Sequence, residues 1–228
     1  MHKYLIVFFS LLLTQFVSFS QNTPTNSYII GQGDHGFWVS AQNNTKQIKG
    51  SPYLFDNWSQ KGDIFIGNQV YTLSALNYNI QVERFEVKIS EDSVFVLNHG
   101  SFDKVKVKGK SFSRHLDPDF QRNTYFEDII HFNDKYLLKK HELTIKESQI
   151  NPLTMQKLQN DQYIKKEQYY ILKDDSDKLD KIKLNKSAIL SLVEENNKAK
   201  VKEFVKEHML SYKKNDDVIK ILNYCDTL

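Results

Sequence analysis

Gly31-Gln32-Gly33-Asp34-His35-Gly36 spells G-x-G-x-x-G, the pattern that brings a backbone close to a pyrophosphate. Asp56 follows where a ribose-binding acid would stand. That chemistry needs a strand before the glycines and a helix after them. Phe37-Trp38-Val39-Ser40 is poor helix material, so the glycines read as part of a flexible arm. His131 and His141 are the best ligand pair on offer. A two-residue turn at Asn133-Asp134 sets His131 opposite Tyr136 and His141 opposite Phe126, too far apart along one hairpin to share an ion. There is no HExxH and no Cys pair, so a zinc site is not expected. Asp174, Asp175, Asp177 and Asp180 suggest calcium. Counted from Asp175, however, the positions where an EF-hand needs Gly and Glu hold Asp180 and Lys186, and an acidic turn is the simpler reading. The expectation is therefore no cofactor and no metal.

Nucleophilic chemistry has little support either. No G-x-S-x-G occurs, and Cys225 falls on an apolar stripe where a buried thiol is the ordinary outcome. Asp117 and Asp119 flank Pro118 and read as a polar loop. Lys104, Lys106, Lys108 and Lys110 alternate along a strand. Such a row could meet anionic glycans or lipid head groups, or it is a wet face or a guard against edge pairing. Tyr53 and Trp58, near Trp38 and Phe55, are the candidates for ligand or partner contact. Exposed aromatics hold sugars and peptides, whereas aromatics at a strand start more often plug a core.

The elements that must position these residues are mostly strands. From Ser51 to Leu184, short runs of Val, Ile, Phe, Tyr and Leu alternate with polar residues. Turn pairs punctuate them at Gly67-Asn68, Lys108-Gly109 and Asn133-Asp134, with an acidic turn at Asp174–Asp177. The Asn133-Asp134 hairpin has a definite expected register. It sets Ile130 opposite Leu137, Ile129 opposite Leu138, Asp128 opposite Lys139 and Glu127 opposite Lys140, aliphatic against aliphatic and charge against opposite charge. The segment Asn151–Gln168 is ambiguous, and Met155–Leu158 after Pro152 would suit a helical turn.

After Leu184 the period becomes helical. Ile189, Leu190 and Val193 mark one helix. Val201, Phe204, Val205 and His208 mark a second, beginning near Asn197, and Val218, Ile221, Leu222 and Cys225 mark a third. Asn215 is the expected N-cap of the third, with Asp216 and Asp217 suited to its positive dipole end. Helices this short need to pack on the β part or on one another.

At the other end, Lys3 precedes an apolar run from Tyr4 to Val17, and Ser18 and Ser20 supply small residues before Gln21. That order is a signal peptide cut between Ser20 and Gln21, and the run is short of the roughly 20 residues of a spanning helix. Lipidation would need a Cys at the cut, and Cys225 is the only one. The expected organisation is a signal peptide over 1–20, a flexible N-terminal arm over 21–50 with at most one short strand, an antiparallel β domain over 51–184, and a helical cap over 185–228. The fold class is mainly β (α+β), either an antiparallel β-sandwich or an open barrel with a small C-terminal helical cap. A formal net charge of +3 on 228 residues argues against a nucleic-acid partner. One Cys excludes an internal disulfide framework.

G-S-P-Y-L at Gly50–Leu54, the nearby Trp58, Asn77-Tyr78-Asn79, Leu137-Leu138-Lys139-Lys140 and a helical tail ending near Asn223-Tyr224 resemble a group of uncharacterised exported proteins from Bacteroidota. The resemblance runs from Gly50 to the end of the chain. It implies an envelope-associated protein with no assigned activity, and it carries no site residues.

The expected function is a non-catalytic exported module of the envelope or medium, structural or binding an envelope protein, glycan or lipid. It would be periplasmic, envelope-associated or secreted, with no membrane span in the mature chain. The alternative is a carrier of a small lipid or glycan in a β-barrel mouth lined with Tyr, Phe and Trp. A hydrolase comes third.

Overall fold

Tight turns and alternating side chains fold this chain as a meander. The computed structural model describes residues 36–40 and 48–228. Its strands are β1 (Gly36–Ser40), β2 (Gly62–Ile66), β3 (Gln69–Leu73), β4 (Leu76–Asn79), β5 (Arg84–Ser90) and β6 (Ser93–Leu97). They continue as β7 (Lys104–Val107), β8 (Lys110–Leu116), β9 (Asn123–Phe132), β10 (Lys135–Lys146), β11 (Gln162–Lys173) and β12 (Asp180–Ile182). Lys108 and Gly109 at φ 51° and 73°, and Asn133 and Asp134 at 40° and 56°, have the doubly positive φ of type I′ hairpin turns. The expected cleavage site, Ser20 and Gln21, lies outside the described residues, as do Gly31 and Gly33.

The strands form two antiparallel sheets, one ordered β1-β6-β5-β4 and one ordered β12-β11-β10-β9-β8-β7-β2-β3. The expected mainly β fold with a small helical C-terminus is found, built as two antiparallel sheets with no closed barrel. Gly36 begins β1 opposite Leu97 in the small sheet. A Cβ there would run into the Val96 carbonyl and the Phe95 ring, which is the steric reason for a glycine at this position. Two corrections concern placement. β7 lies between β2 and β8, so its lysines guard no sheet edge. Met155–Leu158 forms no helical turn, because Met155 has φ 54° and Ile150 bridges Lys157 across a folded-back loop.

The β9–β10 hairpin keeps the expected register only near its turn. Phe132–Lys135, His131–Tyr136 and Ile130–Leu137 pair as expected. A bulge then shifts the ladder, so Leu138 faces Asp128 and Lys139 faces Glu127. The extra residue reassigns β9 side chains between the two faces of the sheet.

Both faces of β10 are buried over Leu137–His141. Leu137, Tyr169 and Ile171 pack under the helical cap, made of α1 (Lys186–Ser191), a 3-10 turn (Glu195–Asn197), α2 (Lys198–Glu207) and α3 (Asn215–Cys225). Farther along the same face, Phe112 and Tyr125 join Tyr78, Phe85 and Phe102 in the core beneath the small sheet, and Leu143 packs against it. The opposite face buries Phe126, Leu138, Tyr170, Leu172 and Leu179. Two cap expectations shift by a residue or a face. Lys214 takes the N-cap position of α3 in place of Asn215, and the Asp217 carboxylate accepts the Ser211 amide hydrogen at 3.0 Å. His208 is the exposed C-cap of α2, its ring tilted against Phe204, instead of part of the buried stripe.

Candidate functional site

Alternation along β10 places Lys139 and His141 on the same face as Leu137 and Leu143, in the strip between the cap and the small-sheet core. The bulged register brings Glu127 to that strip. Glu127 is contacted by Lys110 at 2.5 Å, by His141 Nε2 at 2.7 Å and by Lys139 at 3.1 Å, while Lys139 also reaches Glu167 at 3.2 Å. The Tyr169 hydroxyl donates to Glu167 at 2.9 Å. Burial opposes the charge on Glu127, but the His141 and Lys110 hydrogen bonds and the Lys139 charge outweigh it and hold its pKa at about 2. Burial and then the Glu167 carboxylate push the Tyr169 hydroxyl above its ordinary value. The result is a locked ion network joining strands, with every carboxylate oxygen engaged by cations or a phenol.

Lys140 points to the other face and is equally buried. It pairs with Asp117 and with Glu83 at 3.4 Å, and Glu83 also takes Arg122 at 2.8 Å. Asp117 is thus fully buried, which corrects its reading as a polar loop residue. Asp119 stays outside and pairs with Lys181 at 3.2 Å.

Tyr53 and Trp58 do come together, edge to face with ring centroids 4.6 Å apart, and both are half-buried. The Tyr53 hydroxyl is committed, donating to Glu86 at 2.7 Å. Glu86 is buried and also accepts from Arg84 at 2.6 Å and Asn79 at 3.2 Å. The pair therefore fastens the segment before β2 onto the small sheet. His131 and His141 stay apart, as the hairpin reading requires: His131 contacts Asp174 at 3.2 Å near the turns, and His141 is in the buried network. Among the described residues, no three His, Cys, Asp or Glu side chains gather as a metal site.

One arrangement of nucleophile, base and acid escaped the sequence reading. Ser113 Oγ lies 2.8 Å from His115 Nε2 and donates to Asp128. The β8–β9 ladder, which pairs Ser111 with Asp128 and Ser113 with Phe126, brings them together. Here the hydroxyl stands in the middle, whereas a hydrolytic triad puts the imidazole between hydroxyl and carboxylate. The single hydroxyl proton goes to Asp128, so His115 Nε2 must itself donate and is no base toward Ser113. Burial lowers the His115 pKa, with the Asp128 carboxylate opposing the shift.

The surface departs from this pattern of satisfied groups in the β10–β11 connection. Its apex carries Ile150, Leu153, Met155 and Leu158 at 53%, 94%, 77% and 58% exposure. The sequence signal, apolar residues around Pro152 that follow neither a helical nor a strand period, was available but indistinct. Yet the loop is ordered by its own bonds. Asn151 N–H bonds to Gln156 O at 2.8 Å, Met155 N–H to Asn151 O at 2.8 Å and Leu158 N–H to Gln149 O at 2.9 Å. The Leu153 amide bonds to Asn151 Oδ1 at 2.9 Å.

No protein-family model, curated protein or solved structure matches this chain.

Proposed function

We propose that this chain is a non-catalytic exported module that attaches to another component of the cell envelope through the apex of its β10–β11 loop. The observation that carries the reading is the apex itself. Four large apolar side chains stand in water on one loop whose backbone is held by its own hydrogen bonds, and exposed apolar side chains gathered on a bonded scaffold mark a contact surface. Two features support it over the carrier reading and the hydrolase reading. The space between the sheets is occupied by rings, Tyr78–Phe85 at 4.9 Å, Phe85–Tyr125 at 5.0 Å and Phe85–Phe112 at 5.4 Å. The buried ionisable groups are engaged with one another and bridge elements of the scaffold. The export half of the reading rests on the Tyr4–Val17 run and Ser18/Ser20.

Fractionation of producing cells tests it. The mature chain should begin at Gln21 and sediment with the envelope, and a Leu153→Asp/Met155→Asp variant should be processed alike but move to the soluble fraction. A chain retaining Met1 in the cytoplasm, or a variant that sediments like the parent, would sink the reading.

A further inference from the structure

We infer that the component met by the β10–β11 apex is a lipid bilayer surface, into which the apex inserts as a shallow anchor. This deepens the contact-module reading and rests on it. Three features of the loop favour lipid over a protein groove or a second copy of the chain.

The first is shape. The loop closes the two longest strands, and it presents Leu153 and Met155 outward at its tip, almost free of contact with the rest of the molecule. A tip of four apolar side chains is small beside the roughly 20–30 residues a side of a stable protein interface. The second is the backbone. An irregular loop does not lie within hydrocarbon, so the apex backbone must stay at head-group depth while its side chains reach inward, and the fewer open amides it brings the less that costs. The amides of Asn151, Leu153, Met155 and Leu158 bond within the loop, and Pro152 has no amide hydrogen. The third is charge, which starts at Lys157 between the outermost Leu153 and Met155 and the stem and continues down the stem strands. Lys146 and Lys166 are exposed on the stem strands, and Lys157 pairs with Asp161 at 2.6 Å. Glu142 and Glu147 accompany them, so the stem is mixed in sign and suited to zwitterionic head groups. The apex, and not net charge, should therefore drive binding.

Co-sedimentation of the purified protein with phosphatidylcholine vesicles tests this, with and without one-fifth phosphatidylglycerol. The parent should bind both kinds, the anionic vesicles at most a few-fold more tightly. Leu153→Asp/Met155→Asp should bind at least tenfold more weakly while melting at the parent temperature. Lys146→Gln/Lys166→Gln should change binding less than threefold. As a second readout, Leu153→Trp should be quenched by lipids brominated on their acyl chains beyond the quenching seen in the parent. A parent that does not sediment overturns the inference. So do an Asp variant that binds equally and binding that needs the lysines but not the apex. The assay contains only protein and lipid. Failure here, together with apex-dependent envelope association in cells, defeats the bilayer and leaves the contact module standing.

Discussion

Glu127 keeps its charge in a strip of sheet closed by hydrophobic cores at both ends, because Lys110 from β8 and Lys139 and His141 from β10 converge on it, with Glu167 beyond Lys139. Its pKa, held at about 2 against the ordinary 4.5, ties stability to pH. The carboxyl is more acidic in the folded chain, so its contribution is complete above about pH 4.5 and is lost as pH falls toward 2. The difference corresponds to about 3 kcal/mol. Glu127→Gln, which leaves the buried Lys139 short of a counter-charge, should cost about 3–5 kcal/mol at pH 7. Urea unfolding of parent and variant should show the gap narrowing between pH 4.5 and 2. A gap that stays constant through that window would refute the assignment.

At the scale of elements, the cap belongs to the fold. Val218, Ile221, Leu222 and Cys225 of α3 are all buried, and Lys220 is exposed. Leu222→Ala should cost about 2–5 kcal/mol, and Lys220→Ala should stay within about 0.5 kcal/mol. Thermal melts separate the two, and equal melting temperatures would mean that the stripe is not packed. Cys225 is a built-in reporter of the same packing. Burial pushes its thiol up to about 11, so it should resist a disulfide reagent at pH 8 in the parent. Leu222→Ala should speed labelling by opening the cap more often.

Across the molecule, the large sheet is shared. Its one face carries the cap core at one end and the small-sheet core farther along, with the Glu127 network between them. β9 gives Tyr125 to one core and Phe132 to the other, and β10 gives Leu143 and Leu137, so neither strand can be withdrawn from one core without disturbing the other. Unfolding should therefore be a single transition. The midpoint from the fluorescence of Trp58 before β2, read with Trp38→Phe in place, should coincide with the midpoint from Cys225 labelling in the cap. Two separated midpoints would show that the cap is an independent unit.

The pattern of alternation, the turn pairs and the helical stripes belong to local chemistry, and they were enough to foresee a mainly β chain with a packed helical end. The Asn133-Asp134 turn was legible because a two-residue turn dictates the pairs beside it, down to Ile130–Leu137. Beyond that pair, a bulge set by packing on both faces of β10 decided that Lys139 meets Glu127, and no one-strand pattern encodes a neighbour's extra residue. Asp117 read as a loop residue because charge normally seeks water, and nothing in the alternation marked Lys139 and Lys140 as buried. Only partners brought from β8, β9 and the loops make their burial tolerable. The exposure of Leu153 and Met155 was hidden for the converse reason: an apolar residue reads as core until the tertiary structure leaves nothing to cover it.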